Sequence, residues 1–277
     1  MDLHAIPVRR MGFARPDPAM FHPLYIGGNS ALSYTHSAMG LYAEHMEPFL
    51  VKSVRRVMDR ITDAPLRDSV DRFCRQEAQH YQHHTDFNKV ILGHGYPGLA
   101  ERVQRLKADF DGFLAERDDA FRIGFAEGFE SYTTQSALHA LKVGWYDNEF
   151  TLEPWGQLFK WHMVEEIEHR AVAHDLYQHL FGTGLASWPH RAAMCGVAQR
   201  HIHRFIGDVM NLMSAVDIPR HGPRCRITPK ARFWMAVAPM GMRLRTMRPG
   251  YSPADLEVPA FVGHFGADFS RRADAVS

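Results

Sequence analysis

Between positions 66 and 91 apolar residues recur in steps of three and four, and the stripe they draw has a polar middle. It reads Leu66, Val70, Phe73, Glu77, His80, His84, Phe87, Ile91. Such steps place side chains on one face of an α-helix. A solvated face would not continue an apolar stripe on both sides, so the spacing predicts a helix that points a carboxylate and two imidazoles into the core. A second stretch does the same: Leu158, His162, Glu165, His169, Val172, Leu176 and Leu180, with Glu166 on its edge. Two further stripes carry acids among small or apolar neighbours. One is Gly40, Ala43, Glu47, Leu50, Val54, Val57, Ile61; the other is Ile123, Glu127, Glu130, Thr134, Ala137, Leu141.

The pattern is helical nearly throughout, with little strand-like alternation. It predicts helices at roughly 34–61, 65–92, 98–116, 118–143, 154–181, 188–214 and 229–247. Their ends carry start and stop signals. Asp63 precedes Pro65, Pro154 opens the fifth, and Thr228 precedes Pro229; Gly93, Gly95 and Pro97 follow the second, and Gly182 and Gly184 end the fifth. Residues 1–30, rich in Pro, Gly and Arg, read as an irregular arm, and 249–277 as an irregular tail. Neither a linker nor an internal repeat divides the chain. A single all-α domain over 1–277 is expected, with a bundle at 34–181 and additional helices at 188–247.

Composition narrows the class. The chain has 277 residues, a net charge of +1, 45% hydrophobic and 23% charged residues. That mix excludes a disordered or collagen-like chain. Cys74, Cys195 and Cys225 show no CxxC spacing, which argues against a disulfide framework and fits a reducing compartment. The longest near-apolar run, Phe233 to Met242, is too short to span a bilayer, and the N-terminus lacks an apolar signal region, so a cytoplasmic protein is expected. The 18 histidines stand out.

Four stripes that each turn acids or histidines inward share one difficulty. A buried unpaired carboxylate costs several kcal/mol and must neutralise or find a partner. A pair of divalent cations would serve all four at once. Glu47 and Glu130 would come from two helices, Glu77-x-x-His80 and Glu166-x-x-His169 from the other two. That inventory is the two-metal carboxylate site of ferritin-like four-helix bundles. Glu-x-x-His alone is a weak signal; its mid-stripe position gives it weight. The rival is a buried ion-pair network without metal. His84, Glu127, His162 and Glu165 are additional ligands or outer hydrogen-bond partners, and spacing alone chooses poorly between Glu44 and Glu47 or between Glu127 and Glu130. Carboxylates with imidazoles suit two ions of iron first, with manganese or zinc as alternatives.

The strings RQEAQHYQHHTDFN (75–88) and WHMVEEIEHRAVAHDLY (161–177) resemble a bacterial family catalogued as predicted metal-dependent hydrolases. Asn29 to Ser33, Phe49 to Arg55 and Met247 to Tyr251 extend the likeness over most of the chain. The resemblance implies a ferritin-like fold. It places Glu77, His80 and His84 in one motif, His162, Glu165, Glu166 and His169 in another, and the first-helix acid at Glu47. The chain departs from the family where Ser131 follows Glu130 in place of a histidine, and where Ala43-Glu-His-Met replaces a Pro-x-Gly turn.

An apolar, dry bundle core favours O2-dependent oxidation of a small organic substrate, with O2 and an electron donor as co-reactants. Metal-dependent hydrolysis at the same site is the alternative, and an iron store or sensor is a third reading. Residues 191–250 hold eleven Lys and Arg against Asp208 and Asp217, a local balance of +9. They read as a surface for a membrane or an acidic partner, or as a solvated basic rim. No nucleic-acid-binding module is present, and a monomer or small homo-oligomer is expected.

Overall fold

The computed structural model describes residues 6–274. Among these the protein is all-α. The helices are α1 Ser30–Arg55, α2 Ala64–Gly93, α3 Leu99–Glu116, α4 Asp119–Val143, α5 Trp155–Glu168, α6 Val172–Phe181, α7 Trp188–His221, α8 Pro229–Thr246 and α9 Ala260–Asp274. Four of them start on side chains that accept an otherwise unpaired backbone N–H. Asn29 caps α1, Asp63 caps α2, Asp118 caps α4 and Thr228 caps α8.

The longest shared surfaces are α1 on α2 and α4 on α7, with α5 also against α4. Two glycines set how closely these helices approach. A Cβ on Gly128 would lie 2.6 Å from the Cys195 Cα, so α4 and α7 touch backbone to backbone there. A Cβ on Gly40 would crowd Asn88 Oδ1 at 3.1 Å and His84 Nδ1 at 3.3 Å. Asn88 uses that proximity: its Nδ2 donates to Gly40 O and to Glu44 Oε2, both at 2.8 Å, clamping α2 to α1. Buried apolar residues from Ile6 to Phe269 join in one cluster around these helices.

The structure differs from the sequence expectation at several places. The stretch 154–181 is two helices, α5 and α6, separated by a turn at His169, Arg170 and Ala171. Arg170 is buried in that turn, donating to Ile167 O and Pro253 O. The apolar spacing stays in register across the break, so periodicity does not reveal it. The tail at 249–277 was expected to be irregular, yet it forms α9. Val262, Gly266, Phe269 and Ala273 supply its buried stripe, and it packs on α5. Helix α1 begins at Ser30 and ends at Arg55, against an expected 34–61, and α7 continues to His221.

The N-terminal arm is irregular apart from a short turn at Pro18–Met20, but it is anchored. Ile6, Arg9, Tyr25 and Ile26 are buried. Helix α8 lies at the other extreme: only Thr246 is fully covered, and Phe233, Trp234, Met240 and Leu244 are exposed. No helix among the described residues is long and apolar enough to cross a membrane.

Candidate metal centre

Helices α1, α2, α4 and α5 turn acids and imidazoles toward one another in two groups. Donor atoms of Glu47, His80 and His162 lie within 4.8 Å of each other, as do those of Glu77, Glu130, Glu166 and His169. Glu77 and Glu166 join the groups. Glu77 Oε1 is 3.6 Å from His80 Nδ1 and 3.4 Å from His169 Nε2. Glu166 Oε1 is 3.0 Å from His162 Nε2 and 3.7 Å from His169 Nε2. Glu47 closes one end, 3.8 Å from His162 Nε2, and Glu130 the other, 3.2 Å from His169 Nε2. His162 is 7% exposed; the other six are exposed by 2% or less.

Apart from the His162–Glu166 pair, these inward atoms lie at ion-pair distances without hydrogen bonds. Both oxygens of Glu47, Glu77 and Glu130, Oε2 of Glu166, Nδ1 of His80 and Nε2 of His169 are buried and make no hydrogen bond. Each such atom costs about 1–3 kcal/mol if left unsatisfied. Ion-pair distances link several of these groups, yet most of the inward atoms keep no hydrogen bond. Four carboxylates carry the charge that two divalent cations neutralise, so the donor set fits such a pair.

The outward nitrogen of each imidazole is tied down. His80 Nε2 donates to Glu165 Oε2 at 3.1 Å. His169 Nδ1 donates to Gln76 Oε1 at 2.9 Å. The Gln76 amide can only accept there, because its Nε2 is committed to Pro7 O and Glu168 Oε2. His162 Nδ1 pairs with His84 Nε2 at 2.6 Å. In each case the other nitrogen faces the carboxylates, and such ties are how protein partners orient metal-binding histidines. Position helps too: His169 caps the end of α5, where the turn before α6 begins.

The remaining candidates separate by contact. Glu165 stands behind His80 and accepts from Trp161 Nε1 at 2.8 Å and Arg9 Nη1 at 2.9 Å. Glu127 lies outside both groups. It accepts from Arg191, Ser131, His174 and Cys195, facing α6 and α7. Ser131, where the family pattern has histidine, thus serves Glu127. Glu44 accepts from Asn88 at the half-buried edge of α1.

Electrostatics follow from this crowding. Burial pushes the Glu47 carboxyl well above its ordinary range, and burial with the nearby Glu166 pushes Glu130 up to about 8. Burial also opposes ionisation of Glu166, but His162 and His169 outweigh it and hold Glu166 well below the usual value. For His80 and His169 burial favours the neutral form; the adjacent carboxylates of Glu165 and Glu77, and of Glu130 and Glu166, override it and raise both well above normal. Burial keeps His84 and His162 low. Protons therefore supply part of the positive charge that cations would bring.

Three supporting residues were not foreseen: Arg9, Gln76 and Glu168. Arg9 forks onto Glu168 through two contacts of 2.7 Å, and Glu168 in turn receives Gln76. Gln76 and Glu168 lie inside the two motif strings, where their company was the available signal. Arg9 sits in an arm with no periodicity, and nothing in the sequence marks it.

No curated protein and no solved structure matches the chain. A family model described as "Predicted metal-dependent hydrolase" matches residues 7–257, from the arm that backs the site to the segment before α9. With donors fit for metal and that match over most of its length, the chain belongs to the family of predicted metal-dependent hydrolases.

Proposed function

We propose that this protein is a hydrolase working through two divalent cations held by Glu47, Glu77, His80, Glu130, His162, Glu166 and His169. The observation that carries the reading is the pair of donor groups joined by Glu77 and Glu166, with most of their inward atoms making no hydrogen bond. Family membership supports hydrolysis over the oxidation expected from the core's dryness. The ferritin-like pattern supports the same ligand assignment: one glutamate from each of two helices and a Glu-x-x-His from each of two more.

When bound, such ions supply Lewis acidity toward a scissile group and acidify water. The chain's own residues do the rest. Glu165 and Gln76 hold the His80 and His169 rings in orientation. His162, the most exposed member of the set, marks the side from which substrate approaches. His84 behind it is kept neutral by burial and by His162, and its Nε2 holds the His162 ring in place.

A second reading is favoured by one observation, the near-complete burial of the donors, which suits oxidative chemistry. One experiment separates the two. The metal-stripped chain is loaded with zinc, manganese or anaerobic Fe(II) and offered panels of carboxyl esters, amides and phosphoesters, with Glu77→Gln and Glu166→Gln as controls. Hydrolysis that needs metal and both glutamates is expected. No turnover with any metal, together with a near-ultraviolet band growing when the Fe(II) protein meets O2, would replace hydrolysis with oxidation.

A further inference from the structure

We infer that the protein carries a separate, mononuclear divalent-metal site suited to zinc, formed by His94, Asp217 and His221. His94 follows the last turn of α2, and Asp217 and His221 lie one turn apart near the end of α7. Their donor atoms fall within 4.8 Å of one another. His94 is about 20 Å along α2 from His80, so this is a different place from the carboxylate-rich centre.

The carboxylate is the strongest pointer. Asp217 is fully buried. Its Oδ2 accepts from Tyr96 at 2.7 Å and Tyr34 at 3.1 Å. Its Oδ1 has no partner, and neither does the buried Nε2 of His94. Two phenols explain why an acid is tolerated there, but they account for one oxygen only. They also do for Asp217 what Glu165 does for His80, fixing a donor from behind.

The setting favours a cation. Helices α2 and α7 both end here, and helix C-termini carry the negative end of the backbone dipole. Arg220 Nη2 donates to Gly95 O at 2.9 Å and pins the backbone beside His94. Two imidazoles and one carboxylate form a three-ligand set with an open fourth position, a pattern zinc accepts. His22 is the nearest candidate to fill it: its ring lies 5.8 Å from that of His221, and its Nδ1 is used by Leu24 N, leaving Nε2.

Zinc content after dialysis tests this. His221 is exposed, so His221→Ala should fold as the parent does. Asp217→Asn is the companion variant. Each should hold one zinc fewer per chain than the parent, and each should lose the rise in melting temperature that zinc gives at this site. In a Glu77→Ala, His169→Ala chain one zinc should remain, and His221→Ala should remove it. If the carboxylate-rich centre binds nothing, the parent itself should hold that one zinc. Unchanged zinc content in both His221→Ala and Asp217→Asn would overturn the site.

A different observation carries a second inference. Phe233, Val237, Met240 and Leu244 form an exposed apolar stripe along α8, with Trp234 beside it. Ala231, Met235 and Met242 on the opposite face rest on the core. Lys230, Arg232, Arg243, Arg245 and Arg248 flank the stripe, and no acid occurs between 229 and 250. The geometry points to an anionic lipid surface as its partner. A second copy docked face to face would bring these cations against one another, whereas acidic headgroups complement them. The chain should sediment with phosphatidylglycerol vesicles and not with phosphatidylcholine vesicles, less so at high salt. Leu244→Glu should weaken that binding at least tenfold. No binding to anionic vesicles, or a dimer in solution that Leu244→Glu dissociates, would overturn it.

Discussion

Arg9 and Glu168 meet through two contacts of 2.7 Å, in the fork geometry that pairs a guanidinium with a carboxylate. The same guanidinium reaches Glu165 Oε1 at 2.9 Å. Glu165 orients His80, and Glu168 holds Gln76, which orients His169. One arm residue thus backs both halves of the centre. Arg9→Ala should cost about 3–5 kcal/mol of stability, because two buried carboxylates lose their counter-charge. It should also weaken metal retention about 10–100-fold. Arg9→Lys should recover only part, since an ammonium cannot fork. Chemical unfolding and zinc competition read the two effects separately; a parent-like affinity in Arg9→Ala would break the proposed link.

Acids three residues apart on α4 should behave oppositely. Glu130→Gln should lose bound metal, since Glu130 faces His169. Glu127→Gln should keep the parent's metal content yet lower stability, because Arg191 then faces a neutral amide. Ser131→Ala should also keep metal. Metal analysis and melting curves on the three variants check this, and loss of metal in Ser131→Ala would contradict the placement.

Metal uptake should release protons. In the metal-free chain His80 and His169 titrate well above their ordinary value, as does Glu47, and Glu130 titrates near 8. Each upward shift favours a proton on its donor, and ligation requires the bare donors. Affinity should therefore fall as pH falls. Indicator dye in weak buffer measures the release on zinc addition; uptake with no proton release would count against ligation by these groups.

Away from the centre, His36 should make stability pH-dependent. Its Nδ1 donates to Leu32 O and its Nε2 faces Tyr146 Oη at 2.9 Å. Burial pushes its pKa down to about 4 from 6.5. The unfolded chain binds this proton first, so the contribution is complete above pH 6.5 and is lost as pH falls toward 4. The effect is about 3 kcal/mol. Urea unfolding of His36→Gln across that range should show a shallower slope than the parent.

Helix approach gives a purely steric test. Gly128→Ala would press a methyl onto the Cys195 backbone and should destabilise by about 1–3 kcal/mol. Gly207→Ala, on α7 with open space around it, should be neutral or stabilising. Equal melting temperatures for both would mean that α4 and α7 are farther apart than described.

The helices that carry the centre were legible because burial repeats every three to four residues. Glu77, His80 and His84 stand mid-stripe in the sequence, and all three are buried. Spacing did not choose Glu130 over Glu127, since both lie on the inward side of α4; the motif resemblance did. Arg191 and Cys195, more than sixty residues later, draw Glu127 the other way. The split at His169 preserves the stripe's register and so leaves no trace in periodicity. Helix α9 was missed because glycine and proline before it suggested an irregular tail, while its short stripe of Val262, Phe269 and Ala273 carried less weight. Arg9 lies beyond any local rule: its role depends on Glu165, Glu168 and Ser270, each brought near only by the finished fold.

Arg9 also donates to Ser270 on α9 at 2.9 Å, across 261 positions of chain. That contact has a consequence for the order of events during synthesis. Residue 9 leaves the ribosome before α1, and its partner on α9 emerges after α8. The helices that bear Glu47, Glu77, His80, Glu130, Glu166 and His169 are all made in between. A growing chain can therefore gather the donors before the brace behind them is complete, and the centre reaches its final rigidity only when Arg9 and Ser270 meet behind it.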